Sequence, residues 1–508
     1  MMPAKLNLAE YCIGRAAATS PGKTALLVVS DADRPQDAER WTYAALDLAV
    51  RRVAAGLLAE GLSPRDRIVL RLPNTSDYAL LFLGAMAAGL VPVPISAQLT
   101  GSETASLVGD SGAAAMVETS SLASVTAPSA CKVLDDAALI RLKNTAEPAG
   151  FADTDAEAPA YMIYTSGTSS RPKGVVHAHR TVLGRKPMHI DWQGLSASDV
   201  VLHAGAFNWS YTLGVGLLDP WACGAMAVLY NGPNDIAIWP KLIDAVGATL
   251  FAAVPSLYRQ MLKYCSLQPG CLPKLRHALA AGEALSPAIL HGWHAATGKQ
   301  LYEAFGMSEC STFVSNHPGM PVRPGSPGKP QAGRPIAVLP LDGGVEPVAA
   351  GETGLLAIHR SDPGLMLGYW QRPEEQQAVF RGDWFVGGDL AAFDGDGYLW
   401  HRGRADDIMN AGGYRVSPLE VEAALTGCAG VAEIAAAEHH VRSDVTVIAV
   451  FVVRDGDSRT TADDIIAIAE RRLAAYKRPK QVFFVPSLPR NANGKLLRRQ
   501  LSSVVAGG

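Results

Sequence analysis

This sequence is short of paired cysteines, of excess charge of either sign and of long apolar runs. Its seven cysteines (Cys12, Cys131, Cys223, Cys265, Cys271, Cys310 and Cys428) are scattered, with no C-x-x-C pair. That scatter fits free, mostly buried thiols in a reducing compartment and argues against a zinc site. A formal net charge of -3 gives no reason to expect nucleic acid or a membrane surface as partner. The longest apolar stretch, around Leu80 to Val93, is too short and too broken by glycine to insert stably in a bilayer. The amino terminus, MMPAKLNLAEYC, carries a glutamate and lacks the apolar core of a signal peptide, so the expected compartment is the cytoplasm.

Three well-known motifs are missing as well. A Walker A loop needs G-x-x-x-x-G-K-[ST], and from Gly167 the Gly-Lys pair does not arrive, because Lys173 precedes Gly174. Gly22-Lys23-Thr24 spells the end of that motif, but Ala17 stands where its first glycine belongs. Gly306-Met307-Ser308-Glu309-Cys310 nearly spells a hydrolase elbow and lacks the final glycine. The run Asp394-Gly395-Asp396-Gly397 could begin a calcium loop, yet the twelfth position is Ala405 in place of glutamate, and a tight hairpin turn is the better reading.

What is present is a globular composition, 48% hydrophobic and 18% charged, over 508 residues. That length exceeds what one core organises, so two or more domains are expected. Short β-type runs (Ile68–Leu72, Val91–Ile95, Val200–His203, Thr249–Val254, Leu301–Phe305) alternate with helical patterns such as Asp77–Ala88 and Ala288–Ala296. Near-continuous apolar strands in that alternation imply α/β layers with largely parallel sheets buried on both faces. Residues 97–158 are expected to form peripheral α/β structure. Beyond about residue 403 the order changes: Ser417–Leu425 reads as helix, Val431–Ala437 and Val445–Val453 as strands, and Ala462–Ala475 as an amphipathic helix. The fold expected is therefore α/β, with a large N-terminal domain (1–403) of layered, mostly parallel sheets and a small, mobile C-terminal α+β lid (404–508).

The most informative segment is Tyr164–Gly174, YTSGTSSRPKG, directly after the apolar run Tyr161-Met162-Ile163. A strand feeding a loop rich in hydroxyls and glycine suits the phosphates of a nucleotide, and Lys173 or Arg171 can neutralise their charge. With the motifs that follow it in order, the chain resembles the adenylate-forming superfamily: acyl- and aryl-CoA synthetases, carrier-loading adenylation domains and luciferase. The resemblance runs from about Thr42 to Leu501. Tyr164–Gly174 matches the phosphate loop, and Ala281-Gly282-Glu283-Ala284-Leu285 the segment lining adenine. Tyr302-Glu303-Ala304-Phe305-Gly306-Met307-Ser308-Glu309 matches the aromatic-to-glutamate motif. Trp384-Phe385-Val386-Gly387-Gly388-Asp389 matches the ribose motif, Gly403-Arg404-Ala405-Asp406-Asp407 the hinge, and Asn493-Gly494-Lys495 the lysine motif.

The resemblance implies roles residue by residue. Thr165, Ser166, Gly167 and Thr168 would grip the β,γ-phosphates, with Lys173 as helper. Asp389 and Arg404 would hold the ribose, and Phe305 would stack on adenine beside Gly282, Glu283, Ala304, Gly306 and Met307. Glu309 and Thr168 would hold Mg²⁺, a cation that takes hard oxygen ligands. Taken alone, Glu309 would read as a solvent-facing glutamate. Lys495 is the implied catalytic lysine, an ammonium placed where charge accumulates in an in-line displacement. Arg415 would be a second phosphate contact, Asp406 the hinge, and Gly413 the edge of a thiol channel. Two departures stand out. Ser170 replaces a glycine of the phosphate loop, and Phe305 replaces an adenine-side tyrosine.

For the acid, Asn208, Trp209 and Tyr211 fall where the family places its pocket aromatics, with Gly282, Gly306 and Ser311 completing the pocket. Gly306 stands where acetate enzymes put tryptophan, so the glycine is expected to leave room. Cys310–Pro318 resembles benzoate-CoA ligases, with Ser311 or Thr312 near their pocket histidine. The implied activity is ATP-dependent ligation of a medium-sized aliphatic or aromatic acid to coenzyme A, through an acyl-adenylate and with Mg²⁺ and CoA as cofactors. A stand-alone enzyme loading a carrier protein in trans is the alternative. No carrier domain is expected after Lys495, since thirteen residues follow it. A non-catalytic nucleotide-binding homologue is the third reading, and Glu309, Asp389, Arg404 and Lys495 together argue against it. A homodimer stays open.

Overall fold

The computed structural model describes all residues other than Met1, Thr126, Pro128, Ser129, residues 166–171, Asn234, Ala284, residues 405–408, Gly412, Gly413, Ser417, Thr426, Gly427, Ser443, Asp444, Asp457, residues 490–497 and residues 503–508. For Gly403, Arg404, Ala411, Arg415, Leu419, Ala423, Arg442 and Arg499 it describes the backbone alone. The chain forms two compact units. The larger comprises Met1–Ala97, Val108–Tyr164 and Gly174–Gly403, and the smaller Gln98–Leu107, Thr165–Lys173 and Arg404–Gly508.

The larger unit is built on a nine-stranded sheet. Its middle is six adjoining parallel strands, in the order Gln300–Met307, His277–Ala281, Leu250–Ala253, Val200–His203, Met226–Tyr230 and Thr24–Val29. Antiparallel strands close both edges: Ser311–Ser315 pairs with Gln300–Met307, and Glu39–Thr42 with Thr24–Val29. The sequence of these middle strands explains the arrangement. His277–Ala281 (HALAA) is buried at every residue, as a strand covered on both faces must be. The helix Pro287–Thr297 starts where the Ser286 hydroxyl accepts from the Ile289 amide and a proline fills the first turn.

A second, four-stranded parallel sheet contains Val91–Pro94, Arg67–Arg71, Ala115–Glu118 and Lys132–Leu134. Its last two strands and the helix Asp136–Lys143 are the α/β structure expected within residues 97–158. The third large sheet departs from the parallel pattern. Ile336–Leu339, Gly354–His359, Trp384–Phe393 and Phe380–Arg381 pair antiparallel, and Leu399–Arg404 joins Trp384–Phe393 through the Asp394–Gly397 turn. That turn is a hairpin, with the Asp394 amide donating to the Tyr398 carbonyl at 2.9 Å and the Asp394 carboxylate accepting from the amides of Asp396 and Tyr398. The strands of this sheet pair antiparallel although the helix Pro373–Ala378 lies between Gly354–His359 and Phe380–Arg381 in the chain.

In the smaller unit Val431–Arg442 and Val445–Arg454 pair antiparallel, and Gln481–Phe484 runs parallel to the latter. The helix Pro418–Leu425 packs on this sheet's buried face, and Ala462–Arg472 beside it opens on a Thr461/Asp464 capping box. The second helix stops at Arg472, short of the expected Ala475, because Leu473 turns extended (φ -128°, ψ 142°).

One buried cation ties the loops of the larger unit together. The Arg334 guanidinium, shielded from solvent, donates to the Asp362 carboxylate at 2.5 Å, to the Gly184 carbonyl at 2.7 Å and to the Cys310 thiol at 2.9 Å. Weaker bonds reach the carbonyls of Thr312 and Cys310 at 3.3 Å. Removing one member of such a pair strands the other charge in the interior. Arg334→Met is expected to lower the stability of the larger unit by about 3–5 kcal/mol, measured as a fall in its thermal or urea midpoint. An unchanged midpoint would show the pair to be dispensable.

Candidate active site

Because the six middle strands are parallel, the loops after Val200–His203, His277–Ala281 and Gln300–Met307 leave the same edge of the sheet, where open α/β folds bind ligands. The first loop carries Asn208 and Trp209, the second Gly282 and Glu283, and the third Ser308 and Glu309. Trp209 and Gly282 meet directly. Gly282 has φ +91°, and a side chain there would lie 2.5 Å from the Trp209 ring, so the indole packs on bare backbone. The Tyr211 ring stands edge-on to Trp209 with centroids 5.5 Å apart. Its hydroxyl donates to the carbonyls of Ala253 (3.3 Å) and Leu279 (3.4 Å), so Tyr211 is a fixed wall. Met188, Trp192, Ala281, Tyr302 and Ala304 continue this apolar cluster, and Asn208 is half-buried beside Trp209.

Gly306 needs a correction of reason. A side chain there would fall 2.3 Å from the Ser311 carbonyl oxygen and 2.5 Å from the Thr312 α-carbon. The glycine therefore admits the returning strand Ser311–Ser315 and does not open pocket space. Ser311 itself has φ +63°, a conformation that serine seldom adopts.

A second cluster gathers on the same motif. The Phe305 ring lies 5.0 Å from His401, and His401 Nε2 is 3.1 Å from the Asp389 carboxylate, which is 5% exposed. Met307 Sδ lies 3.0 Å from where a side chain on Gly387 would begin, so the aromatic-to-glutamate and glycine–aspartate motifs touch. His401 was not foreseen from sequence. Its signal was available in the alternation of the strand Leu399–Arg404, which puts His401 two residues from Gly403 on one face.

Glu309 follows this strand. One oxygen accepts from the Tyr369 hydroxyl at 2.8 Å, and the other, Oε2, is buried with no hydrogen-bond partner among the described residues. A buried carboxylate oxygen left open is costly unless a cation or water takes it, and a hard divalent cation fits it. Glu283 is otherwise engaged: it accepts from the Ser256 amide and hydroxyl, both at 3.0 Å, at the start of the helix Pro255–Tyr264. It therefore anchors the loop after Gly282. Lys173 opens the strand Lys173–Ala178, and Thr165 ends the strand Pro159–Thr165. Ser166, Gly167, Thr168, Ser170, Arg171, Asp406, Gly413 and Lys495 lie outside the described residues. Arg404 ends its strand and Arg415 sits in the strand Tyr414–Val416, with their side chains outside the described part.

These loops bring an apolar cluster around Trp209 and Gly282 to the strand edge that also carries the Phe305–His401–Asp389 contacts. The model of the AMP-binding enzyme family matches residues 13–370, and that of the AMP-binding enzyme C-terminal domain matches residues 420–495. The chain belongs to the AMP-binding enzyme family. It is 32% identical to a benzoate–CoA ligase of Thauera aromatica, over 99% of this chain and 97% of the relative. It is 27% identical to the human mitochondrial acyl-coenzyme A synthetase ACSM3, over 91% of this chain and 83% of that one. Among solved structures it resembles the anthranilate CoA ligase AuaEII in complex with anthranoyl-AMP, with a TM-score of 0.72 and 26% identity over 100% and 99% of the two chains.

The carboxyl of Glu303 is one further consequence of the site's burial. It is 8% exposed and accepts from the Leu285 amide at 3.0 Å, and burial pushes its pKa up from 4.5 to about 8. Between these values the folded protein keeps a proton that the unfolded chain has lost. Stability therefore falls as pH rises from about 4.5 to 8, by about 1.4 kcal/mol per unit at most, and levels off above. Glu303→Gln keeps the acceptor and removes the proton. The variant's melting temperature is expected to gain on the parent's from pH 5 to pH 8, and parallel pH profiles would contradict the buried neutral acid.

Proposed function

We propose that this protein is an ATP-dependent acid–CoA ligase that joins a medium-sized aromatic or aliphatic carboxylic acid to coenzyme A. The observation that carries the reading is the convergence at one strand edge of an aromatic pocket (Trp209, Tyr211, Gly282), an aromatic–carboxylate cradle (Phe305, His401, Asp389) and the open Glu309 oxygen. The relatives act on benzoate or, as acyl-coenzyme A synthetases, on acyl groups, which supports both acid classes.

In this reading the carboxylate of the acid attacks the α-phosphorus of ATP, forming a mixed anhydride and expelling pyrophosphate. The CoA thiol then attacks the activated carbonyl and AMP leaves. A carboxylate alone is a poor acyl donor, and a dry site protects the anhydride from water. Phe305 stacks on the base, while Asp389, oriented by His401, accepts from the ribose hydroxyls. Glu309, with Thr168, holds Mg²⁺, which supplies charge neutralisation at the phosphates. Thr165, Ser166 and Lys173 serve the phosphate grip. Residues 404–508 act as the lid carrying Lys495, whose ammonium favours the transition state of the first step.

Acid-dependent exchange of labelled pyrophosphate into ATP, run across aromatic and aliphatic acids, is expected to respond to acids of benzoate size. Adding CoA is then expected to give the thioester, and transfer to a carrier protein alone would favour carrier loading instead. Lys495→Ala is expected to abolish exchange while sparing thioester formation from supplied acyl-adenylate. Equal loss of both half-reactions would refute the lysine's assignment to the first.

A further inference from the structure

Resting on the acid–CoA ligase reading, we propose that the acid pocket ends in a polar recess built for a hydroxyl group on the substrate, read by Arg185 and Ser311. The Arg185 guanidinium is 4% exposed and grips both oxygens of Asp219, Nε at 2.6 Å and Nη2 at 2.7 Å. Asp219 also accepts from Gln193 at 2.8 Å and faces His189 Nε2 at 3.1 Å. A carboxylate held by four contacts fixes the guanidinium plane, and the remaining arm, Nη1, donates to the Ser311 hydroxyl. Of the five N–H bonds of a guanidinium, two are left beyond these three bonds. Gly214 makes room for the group, since a side chain there would begin 2.1 Å from Nη2.

Arg185, Ser311, Ser210, Ser308 and His177 line the polar side of one cavity of about 10 Å³ that Tyr161, Leu213 and Leu218 close on the other, room for a single water-sized group. Ser210 stands between Trp209 and Tyr211, and the helix Lys186–Asp191, which follows Arg185, carries Met188 of the same apolar cluster, so the recess lies against the acid pocket. His177 Nε2 lies 2.9 Å from the Ser308 carbonyl, which assigns its proton to Nε2 and leaves Nδ1 an acceptor. That Nδ1 is buried with no partner among the described residues. A hydroxyl is the group that satisfies such a lining, because it accepts from Arg185 or Ser311 and donates to an acceptor. A second carboxylate does not suit it: Asp219 already balances Arg185, and another charge would be buried uncompensated. The positive φ of Ser311 is a strain kept where its hydroxyl serves recognition.

The test uses the full chain and acids in which a methyl and a hydroxyl are exchanged at one position: 2-, 3- and 4-methylbenzoate against the matching hydroxybenzoates, and heptanoate against 6-hydroxyhexanoate, with isophthalate as the diacid. For at least one pair, kcat/KM for CoA-thioester formation is expected to favour the hydroxy acid by about ten- to a hundred-fold, the range of one hydrogen bond to a charged group. In Ser311→Ala that ratio falls toward one, carried mainly by KM. Arg185→Lys, which keeps the charge and loses the fork, lowers it further, and if that protein is poorly folded Ser311→Ala decides. Ratios near one for every pair in the parent, a preference for isophthalate, or a ratio retained in Ser311→Ala would overturn the proposal. Turnover of acids without discrimination fails this proposal alone, whereas pyrophosphate exchange with none of the acids fails the ligase reading and the proposal with it.

Discussion

The turn that carries Glu309 depends on a single buried guanidinium. Arg334 lies just before the third sheet, yet its donors reach Asp362, Gly184, Cys310 and Thr312, which come from three separate stretches of chain. Cys310 lies within the segment Glu309–Ser311 and Thr312 follows it directly. Backbone carbonyls in a turn between antiparallel strands have no ladder partner, and a buried carbonyl without one is costly. Arg334 takes up the Cys310 carbonyl of the turn together with those of Thr312 and Gly184, so the turn keeps its shape although the strand pairing shifts register between Phe305 and Gly306. Apolar side chains of equal volume could stabilise the same region, but they would fix neither the direction of Glu309 nor that of Ser311.

A similar arrangement recurs at Arg185 and Asp219, one layer deeper. Both cations sit against glycine or backbone, and both point their spare donors toward the strand Ser311–Ser315. The site is thus supported from behind by ion pairs and from the front by aromatic packing. Its precision comes from the polar layer, because planar, five-donor groups constrain orientation in a way that apolar contact does not. The nucleotide cradle follows the same logic through His401, which links the Phe305 ring to the Asp389 carboxylate.

Much of this was legible in the sequence. Val200–His203 is the strand expected, those expected at Thr249–Val254 and Leu301–Phe305 differ by one or two residues at their ends, and Thr24–Val29, Met226–Tyr230 and His277–Ala281 were not foreseen. Continuous apolar runs of four to six residues between helical patterns leave few alternatives in a doubly covered sheet. The antiparallel third sheet was not foreseen, because alternation reports pairing direction weakly. Trp209 packs on Gly282, Met307 on Gly387, and Phe305 meets Asp389 through His401, contacts between motifs that lie far apart in the chain. Gly306 was misread, since a glycine states only that something comes close, and here the neighbour is the backbone of Ser311. His401, Arg185 and Arg334 carry no local signature. An isolated histidine or arginine in sequence reads as surface, and only the tertiary fold reveals that burial and partners give it a task.

Burial of charge near the site raises the question of why evolution would retain it. Arg185, Asp219, Arg334 and Asp362 all lie within the interior of the larger unit. Each pair is at best neutral for stability when compared with a well-packed apolar replacement. Their contacts, however, are confined to the stretches 184–219, 308–315 and 334–364, the same stretches that form the pocket wall and the Glu309 turn. The central sheet carries an apolar core around Phe251, Leu279 and Leu301, with His203, His277 and Glu303 also buried on its strands. Arg71 and Glu118 form a buried pair in the four-stranded sheet as well, so what marks the Arg185 and Arg334 pairs is that both bond to the stretch 310–312, which carries the turn and Ser311.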